Sequence, residues 1–427
     1  MTDPSAPPST ASAARTPAVA DSDVPGRWQH LLGRWWVRVL LVTLAARLVS
    51  AVIFVLVART QAANPWTDAA PGYWQYTGLM WDASWYREIA EQGYPADLPV
   101  GADGQVLQNA WAFFPLFPAL VRGLMALTGG SWTLLAPLTS LVLGTVAMLV
   151  VHQVVADAVG APHAEPLPER VRRGAPLLTV ALLSTSASAP VLQVGYTEAL
   201  ALLGVAVALW ALQREQYLVA ATAVAALGFT RAVALPLAVV ALAHGIARWR
   251  SGRAFPWRSR LAVAGVAGVA VVSGFAWPAI VGRATGVADA YLLTQGAWRG
   301  RGEVVPLLPW VDVAQWWLGS WGVPVLGLTT ALLVIGLASR PLRRLGVVAW
   351  GWTVAYSGYL IGVLEPGTSL VRFALLAFPA WGALACVVLP SRRPRAWSVV
   401  LVVAGLVGQV AWIALLWRLV PPSGWPP

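Results

Sequence analysis

Residues 39–58 read VLLVTLAARLVSAVIFVLVA, an apolar run that follows Arg27, Arg34 and Arg38. A helix of that length crosses a hydrocarbon core roughly 30 Å thick. Comparable runs of about 17–25 residues recur along most of the chain. The 427 residues are 58% hydrophobic, against roughly 45–50% in soluble domains. The alternating ten-residue segments of a membrane β-barrel do not occur. The expectation is an all-α polytopic membrane protein whose first span is uncleaved, with its N-terminus in the cytoplasm.

Residues 1–30 are rich in Ala, Pro, Ser and Thr. Such a segment buries too little apolar surface to order itself, so it reads as a disordered cytoplasmic tail. Asp21 and Asp23 exclude a signal peptide there. Residues 31–427 read as a single integral membrane domain. The net charge of +11 comes from arginine, with no lysine in the chain. These arginines flank apolar runs, as the positive-inside rule requires, and form no basic stripe with interleaved aromatics. Nucleic acid is excluded as a partner on that ground. The one cysteine, Cys386, lies in an apolar run and reads as packing.

Arginine-bearing loops at 170–173, 214, 248–260, 340–344 and 392–395 are assigned to the cytoplasm. Eleven transmembrane helices satisfy that assignment, near 39–58, 132–156, 175–192, 197–213, 217–231, 232–248, 261–282, 321–338, 345–364, 373–390 and 397–419. Residues 112–127 would reverse every later loop if they crossed. Pro115 and Pro118 at their start suit a re-entrant or interfacial segment instead. A true span there, with loop 170–173 outside, is the alternative. The favoured count places a first outer loop at 59–111 and a second at 283–320. Gly195-Tyr196-Thr197-Glu198, Arg231 and the Glu365–Arg372 turn fall on the same outer face. His30, His152, His163 and His244 fall on or near the other. A histidine base or a histidine-ligated zinc is therefore not expected at the outer face, and no metal or cofactor is assigned.

Within the first loop, Trp81-Asp82-Ala83-Ser84-Trp85-Tyr86-Arg87-Glu88-Ile89-Ala90 gathers charge between aromatics. Trp81, Trp85 and Ile89 recur at i, i+4 and i+8, which predicts an amphipathic helix over 81–92 stopped by Gly93. The tryptophans predict that this helix lies along the membrane interface. Asp82 at its start is either a helix cap or a general base for an acceptor hydroxyl. Glu88 and Glu91 read as a solvated face. Arg87 either pairs with a neighbouring carboxylate or contacts phosphate.

Glu198 opens a span almost without a polar linker, either to favour the helix N-terminus or to act in a site. Arg231 and Arg372 either contact phosphate oxygens or pair with Glu198 and Glu365. In the 283–320 loop, Arg299, Arg301 and Glu303 lie among Trp298, Trp310, Trp316 and Trp317. That mixture suits a sugar or lipid headgroup, or an interfacial tryptophan belt.

These residues carry a family resemblance. Trp81-Asp82-x-x-Trp85-Tyr86-x-x-Ile89-Ala90-x-x-Gly93-Tyr94 is followed by Phe113-Phe114-Pro115-Leu116-Phe117-Pro118, Gly195-Tyr196-Thr197-Glu198-Ala199 and Thr230-Arg231. In that order they resemble the PIG-V type of mannosyltransferase, the family of the second GPI mannosyltransferase and its bacterial relatives. Val371-Arg372-Phe373 and Phe378-Pro379 resemble its C-terminal element. The chain departs from the family at Ala232-Val233, where a polar residue and glycine are usual.

The resemblance implies a GT-C-type membrane glycosyltransferase in a bacterial cell membrane, with its active site outside. It implies polyprenyl-phosphate-mannose as donor, a lipid or glycan acceptor, membrane lipids as surroundings, and no cofactor. Asp82 corresponds to the base. Trp81, Trp85, Tyr86, Arg87, Tyr196, Glu198, Arg231 and Arg372 are the candidates for holding substrate. A lipid-sugar flippase, a non-catalytic membrane partner and a transferase for another sugar are the rival readings. A flippase should show paired broken helices or an internal repeat, and the sequence shows neither.

Overall fold

The computed structural model describes residues 33–162, 166–300, 305–364 and 366–420. The expected tail lies outside those residues, as do His30, His163, Arg301, Glu303 and Glu365. Among the described residues the chain is helical, with one isolated bridge between Val100 and Val106 in place of any strand. A helix occupies each interval expected to cross. Five are long and apolar enough to do so: Trp35–Ala58, Trp132–Gly160, Trp257–Thr285, Leu308–Leu337 and Pro394–Trp417. The pair Leu370–Ala377 and Pro379–Val388, bent by 70° at Phe378, is either a sixth, broken span or a re-entrant loop. Eleven full spans are not met by length. Glu198–Gln213 has 16 residues and Tyr217–Leu227 has 11, about 24 and 17 Å at 1.5 Å per residue.

The segment expected to re-enter forms the 13-residue helix Leu116–Thr128, also short for a crossing. The residues expected as the second outer loop, 283–320, contain helical segments. Helix Trp257–Thr285 runs into them from one side, and the apolar helix Leu308–Leu318 belongs with Gly322–Leu337 on the other.

The helix Glu198–Gln213 is the centre of the bundle. Ten of its residues are buried, from Glu198 to Leu212, and half of these ten are alanine. Small side chains let neighbouring backbones close in, the usual basis of helix packing in lipid. At Gly144 on the helix Trp132–Gly160, an added Cβ would sit 3.1 Å from the Leu192 carbonyl. On the other side, a Cβ at Gly204 would sit 2.8 Å from Leu227 Cδ2.

The chain leading into this central helix is broken. Helix Glu169–Thr185 ends, and a short 3-10 turn, Ala189–Gln193, precedes Gly195. Breaking a helix in the bundle strands its last carbonyls. Buried Arg47, from the first span, supplies the donors: its guanidinium bonds the carbonyls of Ser184 and Ala189. Gly195 N–H then donates to Thr77 O at 2.9 Å. A Cβ at Gly195 would lie 3.3 Å from Ala83 Cβ and 3.4 Å from Ala136 Cβ. The first loop is thereby seated directly on the turn that opens the central helix.

Candidate functional site

Two acidic residues open two helices that meet at one end of the bundle. Asp82 is the first residue of Asp82–Glu91, and Glu198 the first of Glu198–Gln213. Each carboxylate lies where free N–H groups carry partial positive charge. Arg372 joins the two acids. Its Nη2 lies 2.7 Å from Asp82 Oδ2, and its Nη1 lies 2.8 Å from Glu198 Oε1. Arg231 Nη1 donates to the same Glu198 oxygen at 2.6 Å and to Thr197 Oγ1 at 3.2 Å. Phe373 lies beneath both guanidinium groups, 4.4 Å from Arg231 and 4.9 Å from Arg372. Tyr196 completes the floor with its ring 5.0 Å from Arg372.

The four charges are not equivalent. Glu198 is 1% exposed and Arg372 7%, whereas Arg231 is 15% and Asp82 18% exposed. Glu198 and Arg372 form a buried base, and Asp82 and Arg231 form the rim a ligand can touch. A buried guanidinium shared between two carboxylates is fixed in orientation, and so are its partners. Breaking such a pair leaves an uncompensated buried charge.

Asp82 does not cap its helix. Trp81 holds the cap position without a side-chain bond to the helix. Trp81 also adopts φ 57° and ψ −129°, a conformation that costs a residue with a Cβ about 1–3 kcal/mol. This turn aims the Asp82 N–H at the Tyr196 hydroxyl, which accepts at 3.1 Å. The helix ends as expected: Gly93, at φ 88°, donates its N–H to Ile89 O at 3.0 Å.

The tryptophan stripe faces the opposite way from expectation. Trp81 and Ile89 are buried in the protein, and half-buried Trp85 stacks on Phe113 at 5.8 Å and meets Trp298 at 5.5 Å. A period of four residues reports that a face is covered, not what covers it. Here Trp85 and Ile89 are covered by Phe113, Phe117 and Trp298, and Trp81 by Trp66 and Trp417. Tyr86 is also buried, its hydroxyl 3.2 Å from Thr197 Oγ1. Loss of water raises its pKa above the ordinary tyrosine range.

Arg87 stands apart from the cluster. It bonds Glu91 at 2.9 Å on the exposed face of its helix. Partial burial raises the Glu88 carboxyl above the usual range. Arg231 pairs with Glu198, as one of its two readings anticipates. The alternative pairing of Arg372 with Glu365 lies outside the described residues, and Arg372 instead serves Asp82 and Glu198. No group of three or more His, Cys, Asp or Glu able to hold a metal occurs among the described residues.

Two participants escape sequence reasoning. Phe373 stands in the sequence only as part of a motif, although an aromatic next to an arginine is a common cation platform. Trp417 has no distinguishing pattern around it. It is fully buried, and its backbone carbonyl accepts from Trp81 Nε1 at 2.7 Å. Nothing in the apolar run around Trp417 signals that contact.

No protein-family model matches the chain, and no curated protein sequence does. Among solved structures, the oligosaccharyltransferase of Archaeoglobus fulgidus is similar. One structure, tethered to an acceptor peptide containing the NVT sequon, matches at 13% identity and a TM-score of 0.48. It covers 93% of this chain and 56% of that one. A second, with an inhibitory peptide and a dolichol-phosphate, matches at 12% identity and 0.49, over 93% and 57%. A third, with Zn and sulfate, matches at 14% and 0.46, over 90% and 54%. The likeness is loose, and this chain spans little more than half the length of those enzymes.

Proposed function

We propose that the chain is a GT-C-type membrane glycosyltransferase that moves mannose from polyprenyl-phosphate-mannose to a lipid or glycan acceptor on the outer face of the cell membrane. The observation that carries this reading is the rim pair, Asp82 and Arg231, over the buried Glu198–Arg372 base. Two carboxylates and two guanidinium groups cancel. Two helix N-termini remain, each equivalent to about half a positive charge. The site thus keeps a local preference for an anion such as the donor phosphate.

In the proposed reaction the acceptor hydroxyl attacks the anomeric carbon of the donor. Asp82 takes the hydroxyl proton as the new C–O bond forms. The bond from the anomeric carbon to phosphate oxygen breaks, and polyprenyl phosphate leaves with the electron pair. Arg231 stabilises the charge that develops on that phosphate. Arg372 does not contact the donor directly in this scheme. It holds Asp82 and Glu198 in place, which narrows its role from the phosphate ligand that the sequence suggests. Direct displacement inverts the anomeric centre, so a β-linked donor gives an α-mannoside. Of the aromatic candidates, half-buried Trp85 is left to meet substrate, while buried Tyr86 and Tyr196 support the cluster through Thr197 and the Asp82 N–H.

Purified protein, incubated with radiolabelled polyprenyl-phosphate-mannose and a membrane glycolipid extract, tests the reading. Transfer that requires Asp82 is the expected result. Product formed at an undiminished rate by Asp82→Ala removes Asp82 as base. Absence of transfer by the unaltered protein from any lipid-phosphate sugar favours the flippase. The topology is checked by Ala102→Cys in a Cys386→Ser background. Labelling of position 102 from the outside is expected, and labelling only from the cytoplasm overturns the outer-face assignment.

A further inference from the structure

Behind the charged cluster lies the end of the last helix, which bonds to none of the four charged groups. The last helix passes into a single π-turn, Ile413–Trp417, closed by Arg418 N–H donating to Ile413 O at 3.0 Å. A terminal turn leaves carbonyls without helical partners, and π-turns concentrate at functional sites. The Trp417 carbonyl is one of these, and it points across the bundle at Trp81. The Trp81 indole N–H donates to it at 2.7 Å, over 336 positions of sequence.

Trp81 is the residue with the left-handed φ immediately before Asp82. Such a conformation persists only where the surroundings over-determine it. Around it are the bond to Trp417, the ring contact with Trp66 at 5.2 Å, and two bonds that the Trp81 carbonyl accepts from Ser84, at 2.7 Å from Oγ and 3.0 Å from N–H. Trp417 is itself immobilised. Its indole N–H donates to Tyr76 O at 3.2 Å, and its ring meets Phe54 at 5.5 Å. It also packs at 5.4 Å against Tyr196, whose hydroxyl accepts the Asp82 N–H. One side chain and its carbonyl therefore bridge the first-loop turn and the turn before Glu198.

We propose that the π-turn at Ile413–Trp417 is a clasp that holds Trp81 in its strained conformation and so aims Asp82 at the cluster, making Trp81 and Trp417 positioning residues. The consequence for catalysis rests on the proposed glycosyl transfer, but the clasp itself does not. It also moves Trp81 out of the set of residues that contact substrate.

Trp81→Phe removes the donor and keeps most of the ring. Hydrogen exchange at the Asp82, Ala83 and Ser84 amides should then speed up about ten-fold, with exchange in the helix Trp132–Gly160 unchanged. Transfer from polyprenyl-phosphate-mannose should lose kcat on the order of 10–100-fold, with little change in donor KM. A raised KM with unchanged kcat would mean that Trp81 contacts the sugar, and would overturn the proposal. Unchanged exchange at Asp82–Ser84 overturns it equally. Should Trp81→Phe not fold, Trp417→Phe leaves Trp81 intact and loosens the carbonyl. It should give the same local rise in exchange, smaller in size, and its absence overturns the clasp. Local loosening in a protein whose unaltered form transfers no sugar would remove the proposed function and leave the clasp standing.

Discussion

Two of the places where the molecule pairs arginine with acid differ in their surroundings, and the surroundings make them different devices. Around the first loop, Arg372 serves Asp82 and Glu198 while Arg231 shares Glu198, all brought together from distant parts of the chain. Around the connections expected to face the cytoplasm, Glu169 meets Arg172 and Arg173 within one helical turn, and Asp157 meets Arg214 at 2.7 Å. The first set is buried and mutually dependent. The second is largely hydrated, and its two groups, Glu169 with its arginines and Asp157 with Arg214, are not bonded to each other. Identical ion chemistry is an organising element where water is excluded and an ornament of the surface where it is not.

The largest effect expected from that contrast falls on Glu198. Replacing it by alanine leaves Arg231 and Arg372 facing each other without their shared oxygen. Loss of one partner of a buried pair costs about 3–5 kcal/mol. Thermal or denaturant unfolding in detergent should show a loss of that size, with Glu198→Gln intermediate. A Glu198→Ala protein as stable as the unaltered one would mean that water reaches the cluster freely.

Asp82→Asn comes next and sharpens the division between base and rim. Asparagine keeps the shape and can still accept from Arg372, but it cannot take a proton. A missing general base typically costs a factor of about 10²–10⁴ in rate. The measurement is transfer rate beside unfolding temperature. Loss of both in proportion would make Asp82 a structural counter-ion only.

This division is partly legible in the amino-acid sequence. Periodicity at Trp81, Trp85 and Ile89 locates the helix that forms at Asp82–Glu91. Counting charges by loop sends Asp82, Glu198, Arg231 and Arg372 to one end, and they do meet there. What stays hidden has a common cause. The partner of Arg372, the inward turn of the tryptophan stripe and the Trp81–Trp417 bond all depend on segments far apart in sequence. A single chain read locally holds no signal for them. Hydropathy also does not separate lipid-facing from protein-facing apolar runs: ten residues of Glu198–Gln213 are buried among other helices. The outlying helix Leu308–Leu337, only 6% buried along its most apolar stretch, is the opposite case.

A smaller effect is expected at Arg231. Arg231→Gln keeps a donor toward Glu198 and removes the rim's positive charge. A charged hydrogen bond contributes about 1.5–3 kcal/mol, so donor KM should rise roughly 10–100-fold, with a modest change in stability. Competition by inorganic pyrophosphate, measured against the unaltered protein, should weaken in parallel. An unchanged KM would transfer the phosphate to another group and leave Arg231 a partner of Glu198 alone.

The smallest effect marks the other end of the comparison. Glu169→Gln removes the acid from a pair of arginines that are 52% and 81% exposed. Its own pKa is lowered first by the hydrogen bond from Arg173, yet water and salt screen the charges and the side chains give up rotamer freedom to meet. Glu169 also opens the helix Glu169–Thr185, where an acid favours the N-terminus. Both contributions are small, so the unfolding transition should barely move, and should move less still in high salt. Transfer activity should not change, because among the described residues no bond connects this turn to Asp82 or Glu198. A loss comparable to that of Glu198→Ala would show that solvent exclusion is not what separates the two ends, and would place an unseen partner over Glu169.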